Sequence, residues 1–220
     1  MTRRLPMFPL GRPLLPGVGL PLQVFEPRYL AMMDDVLDEE SDESGHFGVV
    51  LITRGHEVGG GDLRSDVGTD ARVVSHEVRE DGRHLVLAVG GGRLRVRRWL
   101  RDDPYPVAEV DAWPDDPDPP SGTAGEPGPA PDLQSRMDAL VALVGEHVPV
   151  DERARLVDAA RLPDDPDAAA WQAAVVADLG PLDAQRLLEA PGRIERLALL
   201  DRLLDERLEV LAFTLGRSGT

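Results

Sequence analysis

Six prolines fall within the first 27 residues, at Pro6, Pro9, Pro13, Pro16, Pro21 and Pro27. A ring that fixes φ and removes the backbone N–H forbids helix here. It restricts the segment to short extended runs in which a ladder bond can be spared. Gly17 and Gly19 supply turn geometry between two apolar strands. Pro27 sits where a first helical turn begins, and Leu30, Met33 and Leu37 mark one helical face after it.

The strand pattern continues up to residue 113. Residues 47–52 are a short apolar run, and residues 67–78 a longer, less regular one. Residues 83–90 carry Leu85, Leu87 and Val89 at period two. Residues 93–99 alternate Leu94 and Val96 with Arg93, Arg95 and Arg97, and residues 106–113 add Val107 and Val110. Glycine clusters at 59–61 and 90–92, and the pair Asp81-Gly82, separate these runs and predict turns. Many short, tightly joined strands predict an antiparallel barrel or sandwich.

Residues 114–131 are rich in proline, glycine and acid, with little apolar surface to bury, and predict a linker. The pattern beyond it is helical. Leu133, Met137, Leu140 and Val144 keep helical spacing until Pro149, and residues 151–162 read as the next helix. Asp165-Pro166 is a cap and first turn for residues 167–179. A short helix over 181–189 ends at Pro191-Gly192. The longest covers 193–214, with Leu197, Leu200, Leu204, Leu208 and Leu211 in one stripe that is either bundle core or a seam for a partner helix. The expected organisation is a strand domain over 1–113, a linker over 114–131 and a helical bundle over 132–214.

Composition excludes several kinds of chemistry. The 220 residues include no cysteine, no lysine and no asparagine, so all 24 basic residues are arginine. Disulfides, zinc–thiolate sites, a lysine base and a P-loop lysine are therefore impossible. The net charge of −16 repels nucleic acid phosphates and anionic lipid. No run approaches a membrane span, and the N-terminus lacks the apolar core of a signal peptide, so the expected compartment is the cytoplasm.

Several segments resemble a known family. Residues 8–29, ending in Phe25-Glu26-Pro27-Arg28-Tyr29, look like the opening of the Lon substrate-binding domain. That is the N-terminal domain of ATP-dependent Lon proteases, also found in proteins with no protease attached. The resemblance continues through Phe47-Gly48-Val49-Val50-Leu51, residues 67–73, the hairpin at 81–90, Arg93-Leu94-Arg95-Val96 and residues 104–110. Leu94 stands where the family more often has an aromatic. The resemblance implies an α+β fold, a PUA-like β pseudobarrel of about six strands followed by a C-terminal α-helical bundle. It implies a bacterial, non-enzymatic module binding unfolded or client polypeptides, acting as an adaptor to a protease or as a holdase. Capture is expected on apolar barrel surface or in a cleft between barrel and bundle, by a monomer or weak homodimer. The ATPase and protease domains of Lon are expected to be absent, from the chain ending at Thr220 and from its lack of lysine. The alternative is a PUA-like regulatory protein binding a small molecule or RNA, with the arginine strand as its support.

Candidate site residues carry two readings each. Glu26 and Arg28 either fix the corner between strand and helix or line a peptide groove. Phe25 and Tyr29 are expected as core and semi-buried anchors, with peptide stacking as the alternative. Arg95 and Arg97, beside Arg93, Arg98 and Arg101, form either a solvated face paired with acids or a contact for an acidic peptide. His56-Glu57 and His76-Glu77 lack the second helical histidine of a zincin, Ser75 and His76 point to opposite strand faces, and there is no nucleophile elbow. The acidic run of Asp34, Asp35 and residues 38–43 lacks EF-hand spacing. No catalytic, cofactor or metal residues are therefore assigned.

Overall fold

The computed structural model describes residues 2–38, 44–55, 63–117 and 132–218. The chain divides into two compact units, Met1–Pro114 and Asp115–Thr220. The first contains β1 (Arg3–Leu10), β2 (Gly19–Val24), α1 (Pro27–Val36), β3 (His46–Arg54), β4 (Leu63–Val78), β5 (His84–Trp99) and β6 (Val107–Ala112). The strands form one sheet in the order β2-β5-β4-β3-β1-β6, and β6 also pairs with β5, closing the sheet into a pseudobarrel.

Two prolines lie inside β1, although it sits between β3 and β6. The register explains how. Arg3–Pro6 pair antiparallel with β6, while Met7–Leu10 pair parallel with β3. Each half of β1 uses only one edge, so Pro6 and Pro9 remove few ladder bonds. The parallel β1–β3 pair corrects the expected all-antiparallel barrel. The connection between them, through β2 and α1, is long enough for a crossover.

The turn expected at Gly90-Gly91-Gly92 is also corrected, because β5 runs unbroken through it. These glycines serve close approach. Gly90 N donates to Val18 O at 2.9 Å, and Gly90 O accepts from Gly17 N at 2.8 Å. A Cβ on Gly90 would lie 2.4 Å from the Leu15 carbonyl oxygen. The pairing of β4 with β5 shifts register between Thr69 and Ala71, opposite this stretch. There β5 changes partners: its first half lies between β2 and β4, and residues 94–99 pair with β6. The turn at Asp81-Gly82 is present, with Gly82 at φ 81°. The cluster at 59–61 lies outside the described residues.

Helix α1 carries Pro27 in its first turn, as expected. Its buried face is Tyr29, Met32, Met33 and Val36, spaced 3, 1 and 3. Leu30 and Leu37, expected on the core face, flank this stripe and are only partly buried. The α1 face packs with Phe8, Phe47, Val86 and Ala88 in one core cluster. A second cluster gathers Leu5, Met7, Val50, Leu94, Val96, Ala108 and Val110.

The second unit is helical: α2 (Leu133–Gly145), α3 (Val150–Ala159), α4 (Pro166–Val176), α5 (Pro181–Leu188) and α6 (Arg193–Ser218). Asp165 caps α4 by accepting from Ala168 N at 2.8 Å, and Asp132 caps α2 by accepting from Ser135 N at 3.0 Å. In the α6 stripe Leu200 and Leu204 are buried, whereas Leu197, Leu208 and Leu211 are half-buried. The side chain that the leucine pattern did not predict is Arg196, 2% exposed. It donates to Asp115 at 2.8 and 2.5 Å and to Asp167 at 2.7 Å, and lies 4.5 Å from the centroid of Trp171. Most of the expected linker, residues 118–131, lies outside the described residues.

Candidate client-binding surface

Strand β5 has apolar side chains on both of its faces. Its inward row, Val86 and Ala88, is buried in the core beneath α1. Its outward row is Leu85, Leu87 and Val89. Leu87 is 43% exposed, and the other two are half-buried. The register fixes the neighbours of this row. Leu85 lies between Gln23 of β2 and Glu77 of β4, Leu87 between Pro21 and Ser75, and Val89 between Gly19 and Arg72. Those flanking side chains are polar or small, so they leave the apolar centre uncovered. Pro21, Leu22, Gln23, Ser75, Glu77, Leu85, Val86 and Leu87 line a shallow depression of about 480 Å³. Phe25, just past β2, adds further exposed apolar surface, whereas Val78, opposite His84, is exposed on the other face of the sheet. Antiparallel sheets facing water usually alternate apolar-in with polar-out. The outward apolar row departs from that pattern and makes this face a candidate interaction surface. Another depression of the same size runs along α3 and is lined by that helix and Arg161 just past its end.

The edge of this sheet is closed to strand addition. Among the described residues, strand β2 pairs on one side only, with β5. The Gly90 N to Val18 O bond sets the alternation, so Gly19, Pro21 and Gln23 turn their backbone groups outward. Pro21 has no N–H to offer there, a common protection of exposed edges. The face is open while the edge is guarded.

The structure separates the six residues singled out in the sequence. Tyr29 is buried and stacks on Phe8 with ring centroids 4.2 Å apart. Phe25, expected as a core anchor, is 59% exposed. It follows Val24, whose inward side chain completes the core, so the alternation of β2 carries Phe25 outward. Glu26 accepts from Arg28 Nε at 3.2 Å, and the Arg28 guanidinium lies 4.4 Å from the Tyr29 centroid. That pair fixes the strand–helix corner. Arg97 Nε donates to Asp111 at 2.7 Å, and Arg95 sits over Trp113 at 4.1 Å. Arg98 donates to Glu109 at 2.8 Å, a bond that holds the Glu109 carboxyl below its usual pKa. Arg93 is buried against Trp113. Phe25–Tyr29 adjoin the start of β5, whereas Arg95 and Arg97 lie far along it, on the order of 35 Å of extended strand away.

Two features were not visible from sequence. His76 Nε2 and His84 Nδ1 approach to 3.2 Å, with ring centroids 4.9 Å apart. Tyr105 donates its phenol proton to Asp35 at 2.5 Å, and burial together with that carboxylate raises the Tyr105 pKa. Asp35 therefore belongs to α1 and its packing rather than to an acidic loop, and residues 39–43 of that run lie outside the described residues, as does His56.

The family model for the ATP-dependent protease La (LON) substrate-binding domain matches residues 4–206. The chain belongs to this family. Among solved structures, the Lon N-terminal domain protein from Xanthomonas campestris is 27% identical. The match covers 92% of this chain and 98% of that one, with a TM-score of 0.61. The N-terminal domain of the Mycobacterium avium complex Lon protease, 17% identical over 97% and 98% of the two chains, shares the fold with a TM-score of 0.56. No curated protein matches the chain. The Lon-type fold expected from the opening motif is thus present, as an α+β chain with a six-stranded sheet and a helical C-terminal region. Among the described residues no helix is long and apolar enough to cross a membrane.

Proposed function

We propose that this Lon-family substrate-binding chain is a non-catalytic module that holds extended apolar segments of client polypeptides against the outer face of β2, β5 and β4. It acts there as a holdase or as an adaptor that presents clients to a protease. Membership of a substrate-binding family supports protein binding as the task. The observation that carries the choice of surface is the outward row Leu85, Leu87 and Val89, apolar and flanked by small or polar neighbours. These side chains are already partly covered, so burying each adds less than the roughly 1.5–3 kcal/mol of a fully exposed leucine, and tight capture draws on contacts along the whole face. The net charge of −16 favours neutral or basic clients. Phe25 borders this face and is a candidate contact. Nothing favours the RNA alternative, since the arginines of β5 described above are engaged with carboxylates or with Trp113.

The test is fluorescence anisotropy with a labelled, permanently unfolded alkylated protein. The Leu87→Asp chain is expected to bind at least about tenfold more weakly than the parent. A doubly substituted Arg95→Ala/Arg97→Ala chain is expected to bind as the parent does. Undiminished binding by Leu87→Asp overturns the choice of face, and no binding by the parent overturns the function.

A further inference from the structure

We propose that His76 and His84 form a binding site for a borderline or soft divalent transition metal such as Zn2+, with water completing the coordination and Asp34 as an outer-sphere anion.

The geometry comes from register. Val78 pairs with His84 and His76 with Val86, so the two histidines are diagonal neighbours on adjacent antiparallel strands. Diagonal side chains on one sheet face are close enough to share a ligand. His76 Nε2 and His84 Nδ1 stand 3.2 Å apart. Two imidazole nitrogens each about 2.05 Å from one zinc and separated by that distance subtend about 100° at the metal, near the tetrahedral value. In the hydrogen-bonded pair the two nitrogens face one another, so each ring must turn by roughly 40° to aim its lone pair at a shared metal. Without metal the same pair is an N–H···N hydrogen bond, which fixes one tautomer on each ring.

The electrostatics agree with this assignment. Burial, then His84, lowers the His76 pKa, which favours the neutral ring that ligation needs. Asp34, on the neighbouring helix α1, acts on His76 in the opposite sense, as a nearby negative charge. It faces solvent and has no ion-pair partner among the described residues. No three ligating side chains cluster tightly among the described residues. Two histidines with water are therefore the complete inner shell supplied by these residues. Imidazole donors select Zn2+, Ni2+ or Cu2+ over Mg2+. That selectivity separates this site from general attraction of cations to a chain of charge −16.

Isothermal titration of the full chain with Zn2+ alone, at pH 7.4 and with Mg2+ in excess, tests the proposal. One Zn2+ per chain is expected to bind despite the Mg2+. Affinity should fall at least about tenfold in His76→Gln and less steeply in Asp34→Asn. Binding should weaken as the pH falls, because protons compete with the metal for the imidazole nitrogens. His76 is only partly buried, so its substitution preserves the fold, and an unchanged thermal melt without zinc verifies this. Zinc binding unchanged in His76→Gln, binding that Mg2+ displaces, or no binding overturns the site.

Discussion

Replacing Arg196 by alanine perturbs the most buried charge among the described residues, and its cost follows from the contacts. Arg196 makes three hydrogen bonds to carboxylates, two to Asp115 and one to Asp167. Each charge-assisted bond is worth about 1.5–3 kcal/mol, and stacking over Trp171 adds about 1 kcal/mol. Two effects reduce the sum. Removing the guanidinium recovers its desolvation cost, and its Nε has no hydrogen-bond partner among the described residues. Asp115 and Asp167 also keep 29% and 44% of their side-chain surface in water, so both gain hydration once the guanidinium is gone. The expected loss is therefore about 3 kcal/mol, the low end for breaking a buried pair, or roughly 150-fold in the folding constant. Arg196→Met, which keeps the stem volume, should lose less than Arg196→Ala. Urea unfolding followed at 222 nm reports mainly the helical unit. A loss under about 0.5 kcal/mol, the size of an exposed pair, would refute the reasoning and place the cluster in water.

Leu87→Asp should leave the unfolding midpoint within about 0.5 kcal/mol of the parent, because the side chain is already exposed, and a larger loss would mark it as core. Gly90→Ala drives a methyl into the Leu15 carbonyl oxygen and should cost about 1–3 kcal/mol in a denaturant melt. The His76 pKa is lowered on folding, first by burial and then by His84. Its contribution is therefore present above the unfolded value of 6.5 and is lost as pH falls below it. Melts from pH 7.5 to 5 should show a decline that is shallower in His76→Gln.

Local chemistry in the sequence carried much of this fold. Proline spacing set the strands before α1, Asp165-Pro166 set the start of α4, and Asp81-Gly82 set a turn. What local pattern could not carry was partner identity. Period two in Leu85, Leu87 and Val89 states that they share a face, not which face, and pairing with β2 and β4 turned that face outward. Gly90–Gly92 read as a turn because nothing nearby in sequence reveals that Leu15 packs against β5. Arg196 sits one position before the leucine stripe, and local pattern gave no sign of its burial, since its partners Asp115 and Asp167 lie 81 and 29 residues away. Of the candidate site residues, Tyr29 became core and the Glu26–Arg28 pair a corner brace. The histidine pair needed the β4–β5 register to exist at all.

The central claim is that clients lie on the outer face of β5. A photo-crosslinking amino acid placed at Leu87, and separately at Arg97, in the presence of an unfolded alkylated client tests it most directly. The Leu87 position should crosslink strongly, and adducts should be competed by unlabelled client. The Arg97 position, held at the far end of β5 by Asp111, should not crosslink. Crosslinks at Arg97 equal to or exceeding those at Leu87 would contradict the proposed surface.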